Sequence, residues 1–350
     1  MKILMELKNF INSKEIALYI KNLPPQTTID EALFPITKQL STEIEIAKGS
    51  KKKPVALRMS TFNSVAKVRA LKADVSIEKK EMPFFKEAIG IDENDRRQLI
   101  IYQTANNQNL VESLIKTVFE NYANLVDGAG VQMTRMRAQL MQKGEIELIT
   151  KDGDVVVDYD IPANHKEVLT GSAMWSDPKA DVVGDIKRWQ KVFVDKGSEK
   201  PTRMLLTEKT FGYITQNEAI TKDLKTRSFG DIILTDDDYI SFLKKKLDLE
   251  IGLLNGTFLN EEEKTMSYYE DNLVSLIPKG AIGKTIFGTT PEEFDSQYGS
   301  GKLDTQVVKT GIAITTMVKE DPVAVDTKVS MVGIPSFERA DDCFFATVAS

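Results

Sequence analysis

The 350-residue sequence has one cysteine, one histidine and two tryptophans. Cys343 has no partner for an internal disulfide, so folding in a reducing cytosol is expected. His165 has no second histidine and no neighbouring cysteine, so a histidine-based metal centre or catalytic triad lacks its parts, and a loop histidine without special role is the plainer reading. No run approaches the ~20 apolar residues that a membrane helix needs. The Met1–Met5 start is interrupted by Glu6 and Lys8, so neither a signal peptide nor a membrane segment is expected. There is no internal repeat and no low-complexity tract.

What is present is ample apolar material. Hydrophobic residues make up 41% of the chain, enough for one large domain or two smaller ones. Charged residues are 28% and the net charge is -6. The charge is uneven: residues 1–100 carry 18 basic and 13 acidic groups, and the rest carry 28 and 39. A basic third beside an acidic remainder lets one copy attract another head to tail, although ordinary surface variation gives the same count. No basic stripe of the kind that binds nucleic acid is visible.

Periodicity predicts a helix within residues 1–22, ending at Pro24-Pro25, and a broken helix or turn over 29–40 around Pro35. The polar run Lys48 to Pro54 reads as an exposed loop. Val55 to Ile77 alternates weakly, as extended strands with two largely polar faces that need a partner. Apolar residues three or four apart from Leu110 to Leu140 predict a long helix, with Gly128 and Gly130 as a kink. Asp152-Gly153 between β-branched runs predicts a hairpin over 145–159. Asp177-Pro178 reads as the start of a helix lined by Val182, Val183, Ile186, Trp189, Val192 and Phe193. A strand over 203–207, helices over 208–225 and 236–247, and mostly short strands after 250 complete an α+β chain without regular βαβ alternation.

The candidate chemistry is thin. Pro278 to Thr285 imitates a phosphate loop, but proline stands where the first glycine belongs, and Gly288 and Pro291 bar a long helix after it. A glycine-rich turn is the simpler reading. Asp152, Asp154, Asp158 and Asp160 are better explained as a solvated turn than as calcium ligands. Asp236, Asp237 and Asp238 suit a helix N-terminus. Cys343, before Phe344-Phe345, reads as buried rather than reactive. Carboxylate pairs cannot be singled out among 52 acids. No catalytic residue, metal or cofactor is therefore expected. Trp175 and Trp189 suit core or interface packing, and Phe84-Phe85 suits either an inter-subunit anchor or a local cluster.

The order of landmarks resembles the lambda-type major capsid (head) protein family of tailed bacteriophages, which has the Hong Kong ninety-seven capsid fold. The landmarks are Leu33-Phe34-Pro35, Glu81-Met82-Pro83-Phe84-Phe85, Asp92 to Arg97, Leu140 to Gly144, Val157-Asp158-Tyr159, Trp175 to Pro178, Ile277 to Gly280, Gln297-Tyr298-Gly299, Asp321-Pro322 and Gly333-Ile334-Pro335. They span nearly the whole chain. The Lys48–Lys53 run and the Gly128/Gly130 pair depart from the pattern. The resemblance implies an N-terminal arm (1–47), an extended loop (48–88), a peripheral domain with a spine helix (89–165 and 311–350) and an axial domain (166–310). It implies hexamers and pentamers tiling an icosahedral shell around double-stranded DNA held without sequence-specific binding, for which a mildly acidic surface is apt. It further implies a scaffolding protein, a portal and a decoration protein as partners, assembly in the bacterial cytoplasm and residence in the virion. Contacts between subunits are expected at Lys51, Lys52, Lys53, Phe84, Phe85, Arg96, Arg97 and Trp175. The alternatives are an encapsulin-like cargo compartment, told apart by neighbouring portal or packaging genes; a nucleotide-using enzyme built on Gly280–Thr285, told apart by ATP binding; and a tail-tube component, told apart by forming tubes.

Overall fold

The computed structural model describes residues 12–24, 28–48, 76–91, 93–105, 108–150, 153–227, 233–320 and 323–350. The chain divides into two units: residues 1–44, 79–137 and 283–336 form the first, and 45–78, 138–282 and 337–350 the second.

In the first unit, Asn12 caps the helix Ser13–Asn22 by accepting the Glu15 amide at 2.9 Å, and the helix buries Ile16, Ala17 and Ile20 on one face. The short helix Ile29–Leu33 and the strand Ile36–Lys38 replace the single broken element expected there. The sheet is built on the 14-residue strand Val323–Ser336, which pairs with Ile312–Glu320, Phe84–Ile91 and Lys284–Phe287. Asp304–Val308 and Ile36–Lys38 complete it. The late region thus holds the two longest strands, where mostly short ones were expected. No long helix follows the turn: Pro291 opens only the eight-residue helix Pro291–Tyr298, at its first position under the Thr290 cap. That helix is tied to the sheet by Glu292, which accepts from Lys328 and Ser330, and by Glu293, which accepts from Lys38 at 2.6 and 2.8 Å. Burial opposes the Glu292 charge, but bonds from Lys328, its own backbone and Ser330 outweigh it and lower the pKa. Gly283 is required sterically, since a Cβ there would stand 2.0 Å from the Ser336 carbonyl oxygen.

One ionic contact organises this unit. Arg137 and Asp30 are each 2% exposed and meet at 2.7 Å. The Arg137 Nε also donates to the Thr285 hydroxyl at 2.9 Å, which donates to the Phe34 carbonyl at 3.0 Å.

The long helix, Gln108–Lys143, is continuous through Gly128 and Gly130, where a Cβ would meet nothing within 4 Å. Its 36 residues correspond to about 54 Å. It belongs to the first unit up to Arg137 and to the second from Ala138.

In the second unit a five-stranded sheet runs in the order Lys166–Val168, Phe344–Thr347, Leu273–Ile277, Arg203–Leu206, Glu250–Leu253. The C-terminal strand therefore sits with strands of the expected axial domain, and Lys284–Phe287 sits with the expected peripheral strands. Backbone pairing moves the divisions from 165/166 and 310/311 to near 138, 282 and 337. The hairpin forms as expected, Glu145–Thr150 on Gly153–Asp158. The helix expected at Asp177-Pro178 starts later, at Val182, because Asp181 caps it through the Gly184 amide at 2.9 Å. Asp177 instead closes a turn onto the Lys179 amide. Gly197, at φ 77°, ends the helix in the left-handed conformation. The helix expected over 208–225 is two, Glu208–Thr215 and Glu218–Arg227, because the Asn217 side chain caps the second through the Ile220 amide. Asp236–Leu247 follows a Thr235 capping box.

The core of this unit gathers Trp175, Trp189, Ile186, Phe193, Met204, Phe211, Leu243 and Phe344, among others. Trp189 stacks on Trp175 and on Phe344, with ring centroids 5.7 and 5.3 Å apart. The Trp175 indole donates to Asp185 at 3.1 Å, and the Trp189 indole donates to Glu167. Arg188 bridges the same two carboxylates. His165 is 1% exposed, with Lys196 Nζ 2.6 Å from Nε2. Burial first, then the Lys196 charge, lowers its pKa to about 4, against smaller opposing effects of the Cys343 backbone and Asp342.

Two outcomes are expected for the purified chain. Asp30→Ala leaves the Arg137 guanidinium buried with only Glu31, at 3.9 Å, as a carboxylate partner among the described residues. Urea unfolding should show a loss of about 3 kcal/mol, larger than the loss when Asp30→Leu and Arg137→Met are combined. For His165 the unfolded chain, titrating near 6.5, takes up a proton that the folded chain refuses until about 4. Stability should therefore fall as pH drops from 6.5 toward 4, by up to about 3 kcal/mol, and His165→Gln should flatten that slope.

Candidate assembly surfaces

A surface meant for other subunits is recognised by apolar groups that its own fold leaves in water. In the first unit the long helix is fully buried only in its second part. Tyr122, Val126, Met133 and Met136 are at most 1% exposed. Toward the N-terminus the same apolar spacing continues, yet no residue whose burial is described between Asn94 and Asn121 is buried. Leu110 is 44% exposed. Ile100 and Ile101, on the preceding helix Glu93–Thr104, are 49% and 54% exposed. A second patch is the aromatic pair Phe294 and Tyr298, one turn apart on Pro291–Tyr298, both more than half exposed with ring centroids 5.4 Å apart.

The expected contact residues fall in different places. Lys51, Lys52 and Lys53 lie outside the described residues, as does most of the strand region expected over 55–77. Its last part pairs as Ser76–Glu81 with Glu43–Lys48. Phe84 is 40% exposed at the start of Phe84–Ile91, with Lys86 Nζ 5.5 Å from its ring centre. Phe85 is half-buried and stands opposite Met331. Arg96 and Arg97 lie on Glu93–Thr104, and the Arg97 side chain is exposed. Trp175 is a correction: at 1% exposure, with its indole nitrogen on Asp185 and its ring on Trp189, it is core and presents nothing to a neighbour.

The imitation phosphate loop has the opposite polarity to a real one. A phosphate loop points amides at the ligand and opens a helix. Here the turn points carbonyls at two guanidiniums: Arg203 donates to Pro278 at 3.1 Å and also to Gly280, and Arg339 donates to Lys279 at 2.9 Å. The strand Lys284–Phe287 follows, and Thr285, where a phosphate loop has its metal-binding hydroxyl, is fully buried on Arg137 and Phe34. The nucleotide reading of this turn is thereby corrected. His165, expected as a loop histidine without special role, ends the short Ala163–His165 turn and is buried on Lys196. Cys343 is buried, and burial raises its thiol pKa far above the ordinary value. Among the described residues no three His, Cys, Asp or Glu side chains are grouped to hold a metal ion, and no helix is long and apolar enough to cross a membrane.

The family model described as phage major capsid protein E matches residues 12–348. No curated protein matches. Among solved structures the chain is similar to a protein assigned as the capsid protein of a prophage of Escherichia coli CFT073, at 11% identity and a TM-score of 0.61, over 97% of this chain and 99% of that one. It is also similar to a phage-related protein from Bordetella bronchiseptica RB50, at 12% identity and a TM-score of 0.53, over 97% and 98%. Identities this low establish the fold alone, and that fold is the phage capsid fold of the Hong Kong ninety-seven type. The matched family consists of structural capsid proteins of virions, and the match runs through both units and omits only the two ends of the chain. The chain belongs to the phage major capsid protein E family and is a capsid shell protein.

Proposed function

We propose that this protein is the repeating subunit of an icosahedral phage head, assembling as hexamers and pentamers around packaged double-stranded DNA without reading its sequence. The observation that carries this is the unburied N-terminal half of the long helix. Its apolar residues keep helical spacing but are only partly covered within the unit, with Val111, Leu114, Ile115, Val118 and Phe119 half-buried and Phe119 packed on Tyr19, so another copy completes the cover. The first unit takes the peripheral role and the second the axial role, with the extended loop within residues 48–88. Phe84, Phe85, Arg97 and the Lys51–Lys53 run serve contacts between copies. Many individually weak contacts repeated by symmetry sum to a closed shell. A scaffolding protein directs curvature during assembly in the host cytoplasm, a portal occupies one vertex and a decoration protein binds outside. The subunit performs no catalysis, and the net charge of -6 disfavours trapping of packaged DNA.

Expression with and without the adjacent scaffold gene, followed by light scattering and electron microscopy, tests the proposal. Spherical shells are expected, and a monomer inert under every condition would overturn it. Replacing residues 49–75 by a short Gly-Ser link should leave the unfolding transition of the monomer unchanged and abolish shells. Shells of normal yield from that variant would remove the loop from the assembly mechanism.

A further inference from the structure

In the second unit, the hairpin Thr257–Leu259 on Thr265–Ser267 pairs with no other strand among the described residues. Its loop is ordered locally: the Asn260 side chain accepts the amides of Glu262 and Lys264 at 3.0 and 2.8 Å, and Phe258 stacks on Tyr268 at 4.7 Å. Its faces are nevertheless in water. Every residue from Glu261 to Ser267 is exposed, and Leu259 and Met266 are 63% and 47% exposed. A two-stranded hairpin wetted on both sides is marginal by itself. One with a defined turn and exposed apolar side chains is built to meet a partner. The tip, Glu261-Glu262-Glu263-Lys264, is acidic even with Lys264 on Glu262 at 2.6 Å.

Elsewhere on this unit the helix Glu218–Arg227 borders an open concavity of about 520 Å³ lined by Gln216, Glu218, Thr221, Lys222, Lys225 and Thr226. Lys222 and Lys225, three apart, share a face of the helix. Both are exposed, and neither has an ion-pair partner among the described residues. The threonine methyls and lysine stems that line it are apolar surface suited to Leu259, with ammonium groups at its edge.

We propose that the hairpin tip of one copy seats in the Lys222/Lys225 concavity of the next copy. A second copy is the occupant because the unit carries both halves of a complementary pair: a projecting acidic tip and a receding basic hollow. Two different patches that complement each other make a head-to-tail contact, which closes into a ring when the rotation between copies allows. The contact rests on the shell reading above. It predicts salt-sensitive ring formation, since its charges remain at the rim.

Charge exchange tests it in the full-length protein under conditions where the wild type forms shells. Glu262→Lys with Glu263→Lys should cut shell yield at least tenfold, and so should Lys222→Glu with Lys225→Glu. All four changes together should restore at least half the yield. Thermal unfolding of the unassembled variants should match the wild type, because all four side chains are exposed. Undiminished shells from either pair, or no recovery in the fourfold variant, would overturn the hairpin contact and leave the shell reading standing. A wild type that never forms shells would overturn both.

Discussion

A guanidinium withdrawn from water has to be matched on the spot, and Arg137 is matched by one carboxylate and one hydroxyl drawn from distant parts of the sequence. Asp30 comes from the N-terminal segment and Thr285 from a strand more than 250 residues later. A buried pair of this kind adds little net stability over apolar side chains of similar volume, but it penalises any arrangement that leaves one partner alone. Here it fixes Ile29–Leu33 in place, and with it the parallel pairing of Ile36–Lys38 on Lys284–Phe287. Ser13 on Asp304, at 2.6 and 3.1 Å, and Lys38 on Glu293 hold the same segment at its two ends. The described residues between Ser13 and Lys38 are therefore committed to the first unit.

This constraint was not legible in the sequence. Arg137 lies within an amphipathic stretch, and nothing in its spacing separates a buried arginine from a solvated one. Patterns that depend on neighbours along the chain were readable: the long helix from its three- and four-residue spacing, the hairpin from Asp152-Gly153, the helix Asp236–Leu247 from its acidic first turn. Patterns that depend on which of two local solutions wins were not. Asp177 and Asp181 are both competent caps, and only the amide of Gly184 decides between them. The C-terminal boundary between the units falls at 337 rather than 311, and this follows from strand pairing that no local pattern encodes.

The candidate surfaces were half legible for the same reason. Phe84 was visible because an aromatic pair stands beside a polar extended segment. Trp175 was misplaced because bulk and position along the chain say nothing of direction, and its indole is turned inward onto Asp185. The unburied half of the long helix escaped notice because its apolar spacing is as regular as that of the buried half. Periodicity shows that one face will be covered, and only the structure shows that Tyr122 is where full burial begins.

That division of one helix has a mechanical sense in a shell subunit. A helix buried along its whole length would give a stable monomer with nothing to gain from neighbours, whereas one unburied throughout would leave Arg137 without its enclosure. Burying fully only the second part encloses the Arg137–Asp30 pair and leaves Leu110, Ile100 and Ile101 exposed. Each such side chain contributes about 1.5–3 kcal/mol when fully covered, and association costs several kcal/mol of lost motion before any of it is realised. A single contact on this scale stays reversible, which lets a misplaced subunit leave. The same contact repeated around a closed shell has many copies acting together and does not.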